Sequence, residues 1–205
     1  MILGITGTDG AGKGTVVEYL VEKKGFTHFS ARAIWIELLQ DRHMETNRAN
    51  MRLIANEMRE KYGNDFLITY YLEKIRKEKT PRSIIDSLRA VAEVDTLKAH
   101  GGLLIAVDAE QTVRYARIQE RNSETDQVSF TEFAAHELLE ANDPNPHGMQ
   151  KQKVLLMADV TLMNNGSIKD LHTAVEDVLA QMGMSLIQKC KSQTNGARKR
   201  ASRCC

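Results

Sequence analysis

The chain has 205 residues, of which 42% are hydrophobic, and its 28 basic and 27 acidic residues give a formal net charge of +1. This length allows one α/β domain with a substantial core but hardly two. The charge balance lacks the basic excess typical of nucleic-acid binders, and no apolar run reaches the roughly 18 residues of a membrane span.

Apolar runs bounded by glycines and polar turns predict five strands. They cover Ile2–Thr6, Phe26–Phe29, Ser83–Ser87, Leu103–Val107 and Val160–Met163. Helical spacing predicts the intervening helices. These are Lys13–Lys24, Ala31–Arg42, Thr46–Tyr62, Asp65–Lys79, Ala90–His100, Glu110–Arg121, Phe130–Asn142 with Thr131 as its cap, a helix finishing over Val154–Ala158, and Ile168–Met182. The alternation predicts a parallel sheet covered by helices on both faces.

We predict one domain over residues 1–183, with two additions. The helical stretch 31–80 interrupts the strand–helix alternation and predicts a separate flap, and residues 121–150 are the predicted lid region. Residues 184–205 are polar and basic and predict a disordered tail. All three cysteines lie there, which argues against a disulfide framework or a zinc site and favours the cytoplasm, with the nucleus as the alternative. A solvated tail is the default, and lipidation or a nuclear signal are its alternatives.

The stretch Gly7–Lys13 fits the pattern G-x-x-x-x-G-K and lies between a predicted strand and a predicted helix. Glycines let successive backbone N–H groups turn toward an anion, and the following helix adds its positive end. We therefore expect this loop to bind the phosphates of ATP. The predicted ATP-binding residues are Gly7, Asp9, Gly10, Ala11, Gly12, Lys13, Gly14 and Thr15. The alternative is a tight turn that contains glycines for steric reasons alone.

Gly14 stands where the strict motif has the hydroxyl that binds Mg²⁺, and Thr15 follows it. The form Gly-Lys-Gly-Thr resembles the loop of adenylate kinases and related nucleoside monophosphate kinases. The resemblance implies that the loop holds phosphates with Thr15 nearby as a candidate Mg²⁺ ligand. Whether this hydroxyl would bind the metal directly stays open.

Asp86 lies at the carboxyl end of the third predicted strand, the edge of a parallel sheet where ligands bind. It is a candidate to hold Mg²⁺ or to orient an acceptor, and Arg89 is a candidate to clamp an acceptor phosphate. The alternatives are a helix cap for Asp86 and a solvated side chain for Arg89. The pair resembles the Asp-Gly-x-x-Arg stretch of monophosphate kinases and, more closely, the Asp-x-[Ile/Leu]-Arg stretch of a family similar to dephospho-CoA kinases.

Arginines are spread over the flap and over the helix that leads into the lid. In monophosphate kinases a helical flap grips the acceptor, which implies acceptor-binding roles for Arg32, Arg48 and Arg59. Related kinases also send arginines over the transferring group, which implies that Arg117 and Arg121 neutralise transition-state charge. A solvated helix face is the alternative for all of them. The loop after the fifth strand lies under the adenine in such kinases, so Asn165 and Gly166 are expected near the base.

Over about residues 1–182 the pattern resembles the P-loop nucleoside and nucleotide kinases, closest to dephospho-CoA kinase-like and deoxynucleotide monophosphate kinase-like members. The resemblance implies a P-loop NTPase three-layer α/β/α fold with a five-stranded parallel sheet, a helical acceptor-binding insert and a short lid. It implies transfer of the γ-phosphoryl group of ATP, with Mg²⁺, to a small nucleotide-like acceptor. Lys13, Asp86, Arg117 and Arg121 would be catalytic.

The rival hypothesis is a nucleotide-dependent regulatory ATPase without a small-molecule acceptor. Apart from the acceptor, the sequence predicts neither a nucleic-acid partner nor a membrane span, and it leaves the oligomeric state open.

Overall fold

A computed structural model describes residues 1–121 and 128–182. Its five strands are all parallel and lie side by side in the order β2-β3-β1-β4-β5. They are β1 (Ile2–Gly7), β2 (Thr27–Phe29), β3 (Ser83–Ile85), β4 (Leu103–Asp108) and β5 (Val160–Met163). The predicted five-stranded parallel sheet is confirmed.

Eight helices with complete bounds join the strands in the described part of the chain. They are α1 (Lys13–Lys24), α2 (Ala31–Asp41), α3 (Arg48–Tyr62), α4 (Phe66–Glu78), α5 (Val91–Ala99), α6 (Gln111–Arg121), α7 (Phe130–Ala141) and α8 (Lys151–Leu156). Residues 168–182 are also helical and are called α9. The helices α2, α3 and α4 stand between β2 and β3 as the predicted insert, which is called the flap.

The sheet separates two apolar cores, because neighbouring side chains on a strand point to opposite faces. On β3, Ile85 packs into the core formed with the flap, α5 and α8, whereas Ile84 packs against α1 and α9. On β4, Leu104 packs into the first of these cores and Ile105 into the second. The result is the three-layer α/β/α arrangement of the P-loop NTPases.

The carboxyl ends of β1, β3 and β4 lie side by side and place three loops at one edge of the sheet. Backbone and side-chain bonds fix the loop after β3 against β1: the Leu88 N–H donates to the Ile5 carbonyl at 3.1 Å, and the Thr6 hydroxyl donates to the Leu88 carbonyl at 2.8 Å. Residues 86–89 are therefore held beside the glycine loop.

Two local predictions need correction. The strand β3 ends at Ile85 and not at Ser87, because Ser87 has a left-handed φ of 58° that breaks the extended backbone. The cap of α7 is Ser129 and not Thr131. The Ser129 hydroxyl accepts a hydrogen bond from the Glu132 N–H at 3.2 Å, and the Glu132 carboxylate accepts one from the Ser129 N–H.

Among the described residues, no helix combines the length and the apolar character needed to cross a membrane. Residues 122–127, which belong to the predicted lid region, and the predicted tail with its cysteines lie outside the described ranges.

Candidate active site

The glycine loop joins β1 to α1 and needs glycine at three points. Gly7, Gly10 and Gly12 have φ values of 146°, 79° and 97°, a range that other residues rarely adopt. A Cβ atom on Gly7 would collide with the Val107 carbonyl, and one on Gly10 would collide with the Arg114 carbonyl. The loop is thus pressed against β4 and α6 with its backbone curled, which is the form that binds phosphate anions.

Lys13 begins α1 and folds back over the loop. Its ammonium group donates to the carbonyl of Thr8 at 2.7 Å and to that of Gly7 at 3.1 Å. Burial, aided by the charges of Lys151 and Arg89 and opposed by that of Asp9, lowers the pKa of Lys13 from 10.5 to about 8. A half-buried ammonium beside a cradle of backbone N–H groups fits the phosphates of a nucleoside triphosphate.

Asp9 is the centre of an ion cluster that joins the loop to α3, α7 and α8. Its carboxylate lies 3.3 Å from the Lys151 ammonium, 3.3 Å from the Arg48 guanidinium and 3.7 Å from the Lys13 ammonium. Glu140 joins the cluster, 2.6 Å from Lys151 and 3.4 Å from Arg48. Burial opposes the charge of Asp9, but the surrounding cations hold its pKa well below the ordinary value.

The candidate ligands of Mg²⁺ supply hard oxygen atoms. Thr15 is half-buried on the first turn of α1. Asp86 accepts the N–H of Ala31, the first residue of α2, at 2.8 Å and lies 3.1 Å from the His28 imidazole. The N-cap residue of α2 is Ser30, so Asp86 contacts the start of this helix without being its N-cap residue. Mg²⁺ is usually held by one or two carboxylates, substrate phosphates and water, and a hydroxyl and a carboxylate at this edge fit that chemistry.

A second carboxylate at this edge, on Asp108, was missed by sequence reasoning. Asp108 ends β4 and accepts the Thr8 hydroxyl of the glycine loop at 2.5 Å. Within residues 1–121 and 128–182, no group of three or more His, Cys, Asp or Glu side chains is placed to hold a metal by itself.

A cavity of about 470 Å³ separates the flap from this edge of the sheet. It brings together most of the predicted site residues, which are Asp9, Gly10, Lys13, Arg32, Arg48, Arg59, Asp86, Arg89 and Arg121. Apolar side chains complete the wall, among them Trp35, Met51, Leu67 and Met149. Three residues of the glycine loop and its helix, Asp9, Gly10 and Lys13, therefore share one cavity with the predicted acceptor residues.

Arg59 and Arg89 are linked through the buried carboxylate of Glu93. One Glu93 oxygen accepts the Arg59 guanidinium at 3.2 Å, and the other accepts the backbone N–H groups of Arg89 at 2.7 Å and Ala90 at 3.0 Å. Glu93 is 0% exposed and Arg59 is 4% exposed. The pairing joins the flap to the loop after β3 and fixes where both arginines stand.

Both arginines keep donors for a further partner. The Nε atom of Arg59 is buried without a hydrogen-bond partner among the described residues. The Arg89 guanidinium donates to the Met149 sulfur at 3.4 Å, a weak acceptor. Burial opposes its charge, but Glu140, Asp9, Glu93 and Asp86 raise the pKa of Arg89, so it stays cationic.

Arg117 stands apart from this cavity. Its guanidinium donates to the Asn164 carbonyl at 2.8 Å, and the Asn164 amide in turn donates to the Ala11 carbonyl of the glycine loop at 2.8 Å. Asn165 accepts the Glu110 N–H at 2.8 Å, and its neighbour Gly166 is exposed. The structure places Arg117 with the predicted base loop, whereas Arg121 lines the cavity between the flap and the sheet.

The neighbouring Arg114 contacts the glycine loop more directly than Arg117 or Arg121. Its guanidinium donates to the Asp9 carbonyl at 3.2 Å and to the Ala109 carbonyl at 2.8 Å, and it pairs with Glu137 of α7. Its position on one helix face with Arg117 and Arg121 was the available signal. Glu93, Glu140 and Lys151 carry no local signal of their roles, because each looks like an ordinary charged residue of a helix.

The sequence profile of a family described as "AAA domain" matches residues 3–140, well over half of the chain. The chain belongs to this AAA domain family. It is also similar to proteins named UPF0200. It is 27% identical over 188 residues to the one from Thermococcus gammatolerans, covering 89% of this chain and 95% of the relative, and 24% identical over 185 residues to the one from Methanocaldococcus jannaschii, covering 89% and 90%.

Solved structures share the fold over nearly the whole chain. TT1252 from Thermus thermophilus superposes with a TM-score of 0.60 at 21% identity, covering 88% of this chain and 97% of that one. A shikimate kinase from Bacteroides thetaiotaomicron gives 0.56 at 12% identity, covering 89% and 98%. A gluconokinase from Sinorhizobium meliloti gives 0.55 at 11% identity, covering 91% and 95%. The expected likeness to P-loop nucleotide and small-molecule kinases is confirmed in the fold.

Proposed function

We propose that this AAA domain family member is an ATP-dependent phosphotransferase whose small acceptor carries an anionic group of its own. The nucleoside monophosphate and dephospho-CoA types are the acceptors that fit this description. One observation carries the proposal: two arginines, Arg59 and Arg89, are fixed at the acceptor cavity with donors left over.

The unpartnered Nε donor of Arg59 is the sharpest part of that observation. A buried donor without an acceptor costs about 1–3 kcal/mol, and more when the group is charged. An oxygen of a bound phosphate or carboxylate would satisfy it. Arg89 is joined to the same Glu93 and would supply the second fork of a two-arginine clamp.

The rest of the cavity fits the body of a small organic anion. Its volume of about 470 Å³ lies in the range of ligand sites. Trp35, Met51 and Leu67 supply apolar contact, and Arg32 adds a further cation at the rim. We propose that the flap, residues 31–80, binds this acceptor and that residues 121–150 form the lid region.

On the donor side, the glycine loop and Lys13 would hold the β- and γ-phosphates of ATP. Arg117 would act through the loop at Asn164–Ser167, which it fastens near the glycine loop, and Asn165 and Gly166 would lie beside the base. The fold neighbours named as shikimate kinase and gluconokinase are kinases of small molecules, which supports a small acceptor for this chain.

The chemistry would be in-line transfer by positioning and charge stabilisation, without a covalent intermediate. Asp86 would orient the acceptor hydroxyl, and Arg121 would neutralise charge on the transferring group. Thr15 and Asp86 would hold Mg²⁺, which neutralises charge on the phosphates when bound. The glycine loop would exclude water from the β- and γ-phosphates.

A panel of acceptors tests the proposal. ADP formation would be followed with ATP and Mg²⁺ in the presence of nucleoside monophosphates and dephospho-CoA, with the parent nucleosides as matched controls that lack the anionic group. We expect ADP formation to depend strongly on one class of anionic acceptor. Slow hydrolysis that ignores every acceptor would overturn the proposal in favour of the regulatory ATPase.

A further inference from the structure

Lys151 is a buried charge that the kinase mechanism does not use. It is the first residue of α8, it is 6% exposed, and its ammonium lies 2.6 Å from Glu140 and 3.3 Å from the Asp9 Oδ1 atom. Because 142 positions separate it from Asp9 in the sequence, only the fold brings it to the glycine loop.

This position is electrostatically unfavourable for a lysine in two ways. Burial removes its hydration, and a cation at the first position of a helix faces the positive end of the helix dipole. An apolar side chain would often fill such a place at no cost to stability. The charge contributes two contacts here, one with Glu140 and one with Asp9.

Asp9 has two lysines competing for one of its oxygens. Its Oδ1 atom lies 3.3 Å from the Lys151 ammonium and 3.7 Å from the Lys13 ammonium, while Arg48 faces Oδ2 at 3.3 Å. If Lys151 were removed, Lys13 would remain beside Oδ1, at 3.7 Å. A buried carboxylate would then draw Lys13 to itself and compete with nucleotide phosphates.

We propose that Lys151 is a positioning residue of the phosphate loop: it neutralises Asp9, so that Lys13 can leave Asp9 for the phosphates of the nucleotide. This inference rests on the proposed nucleotide binding of the loop. It does not depend on the identity of the acceptor.

Calorimetric binding of a non-hydrolysable ATP analogue with Mg²⁺ tests the inference. Lys151→Met should weaken binding about tenfold or more, because it leaves a buried carboxylate facing Lys13. Lys151→Arg should keep most of the affinity. Lys153→Met changes an exposed lysine on the same helix and should bind as the original chain does. Thermal unfolding checks that each variant is folded, and Lys151→Gln takes the place of Lys151→Met if the latter does not fold.

The deciding variant is the double change Asp9→Asn with Lys151→Met. If Lys151 acts by neutralising Asp9, removal of the Asp9 charge should restore affinity to that of Asp9→Asn alone. If the double variant binds as weakly as Lys151→Met, or if Lys151→Met binds normally, the inference is wrong.

The acceptor panel tests the kinase proposal, and its outcome is independent of this binding experiment. Loss of acceptor dependence with an intact Lys151 effect would overturn the kinase proposal alone. A normal Lys151→Met variant in a chain that phosphorylates an acceptor would overturn the inference alone. Failure of the original chain to bind the analogue would overturn both.

Discussion

The glycine loop and the flap form opposite walls of one site and are built in different ways. The loop is a short continuous segment whose shape depends on backbone conformation, with left-handed φ values at Gly10 and Gly12. The flap wall is assembled from distant segments by buried ion pairs. Arg59 reaches Glu93 across 34 positions, and Arg52 reaches Asp143 across 91 positions at 2.5 Å.

Because the two walls are built differently, they are suited to different ligand groups. The loop offers N–H groups and one ammonium in a fixed array, which suits a phosphate chain and little else. The flap offers guanidinium groups whose positions depend on their carboxylate partners, so small changes in those partners alter which anion fits. In the proposed kinase, binding of the phosphate donor would therefore depend on local sequence, whereas binding of the acceptor would depend on tertiary contacts.

Loss of the loop lysine should have the largest effect. We expect Lys13→Ala to reduce acceptor phosphorylation about a thousandfold, because the charge that would follow the β- and γ-phosphates is lost. Steady-state ADP formation measures it, and Lys23→Ala, an exposed lysine in the last turn of the same helix, is the control. Activity of Lys13→Ala near that of Lys23→Ala would remove the loop from the mechanism.

Loss of Arg89 should affect the acceptor and spare the donor. We expect Arg89→Ala to raise the KM for the acceptor about a hundredfold, because a charge-assisted bidentate contact is lost. The KM for ATP should change by no more than about threefold. Arg82→Ala, an exposed arginine that bonds to the Lys24 carbonyl, is the control. Equal effects on both KM values would mean that the two walls are not separate.

The sequence predicted the loop wall far better than the flap wall, for a physical reason. The helix α1 was predicted with its observed bounds because Gly12 and Gly25 flank it in left-handed conformations, and glycine is the local signal for such ends. Arg59 and Arg89 were predicted at the acceptor, but their shared partner Glu93 was not. From the sequence alone, a helical glutamate that forms a buried ion pair looks the same as one that is solvated. Only the fold shows which residues lie beside it.

The pH dependence of ATP binding should reveal the lowered pKa of Lys13. Its pKa is lowered from 10.5 to about 8, so in the free chain the ammonium is charged below that pH and loses its proton above it. Phosphates bind the charged form, and affinity should therefore fall by up to about tenfold per pH unit above 8. Titrations with the ATP analogue between pH 7 and 9.5, roughly spanning this pKa, measure the fall. Lys13→Arg stays charged throughout and should flatten it; an unchanged slope in that variant would assign the fall to another group.

Restoring the strict motif should have the smallest effect. A Cβ atom on Gly14 would meet no atom within 4 Å, so Gly14→Ser fits without displacement. We expect it to change the Mg²⁺ concentration for half-maximal activity by no more than about threefold, because in the proposed site Thr15 and Asp86 would already supply oxygen ligands. A Mg²⁺ titration at fixed ATP measures it, with Gly14→Ala as the control that adds the Cβ without the hydroxyl. A much larger gain for serine would mean that the natural loop lacks a metal ligand.

The fate of the γ-phosphoryl group tests the central claim most directly. ATP labelled in its γ-phosphate would be incubated with the chain, Mg²⁺ and the best acceptor of the panel, and the products would be separated by chromatography. The proposed kinase predicts that most of the released label is bound covalently to the acceptor, and that Arg89→Ala loses this transfer at low acceptor concentration. Label found only in inorganic phosphate, in the same amount with and without acceptor, would contradict it.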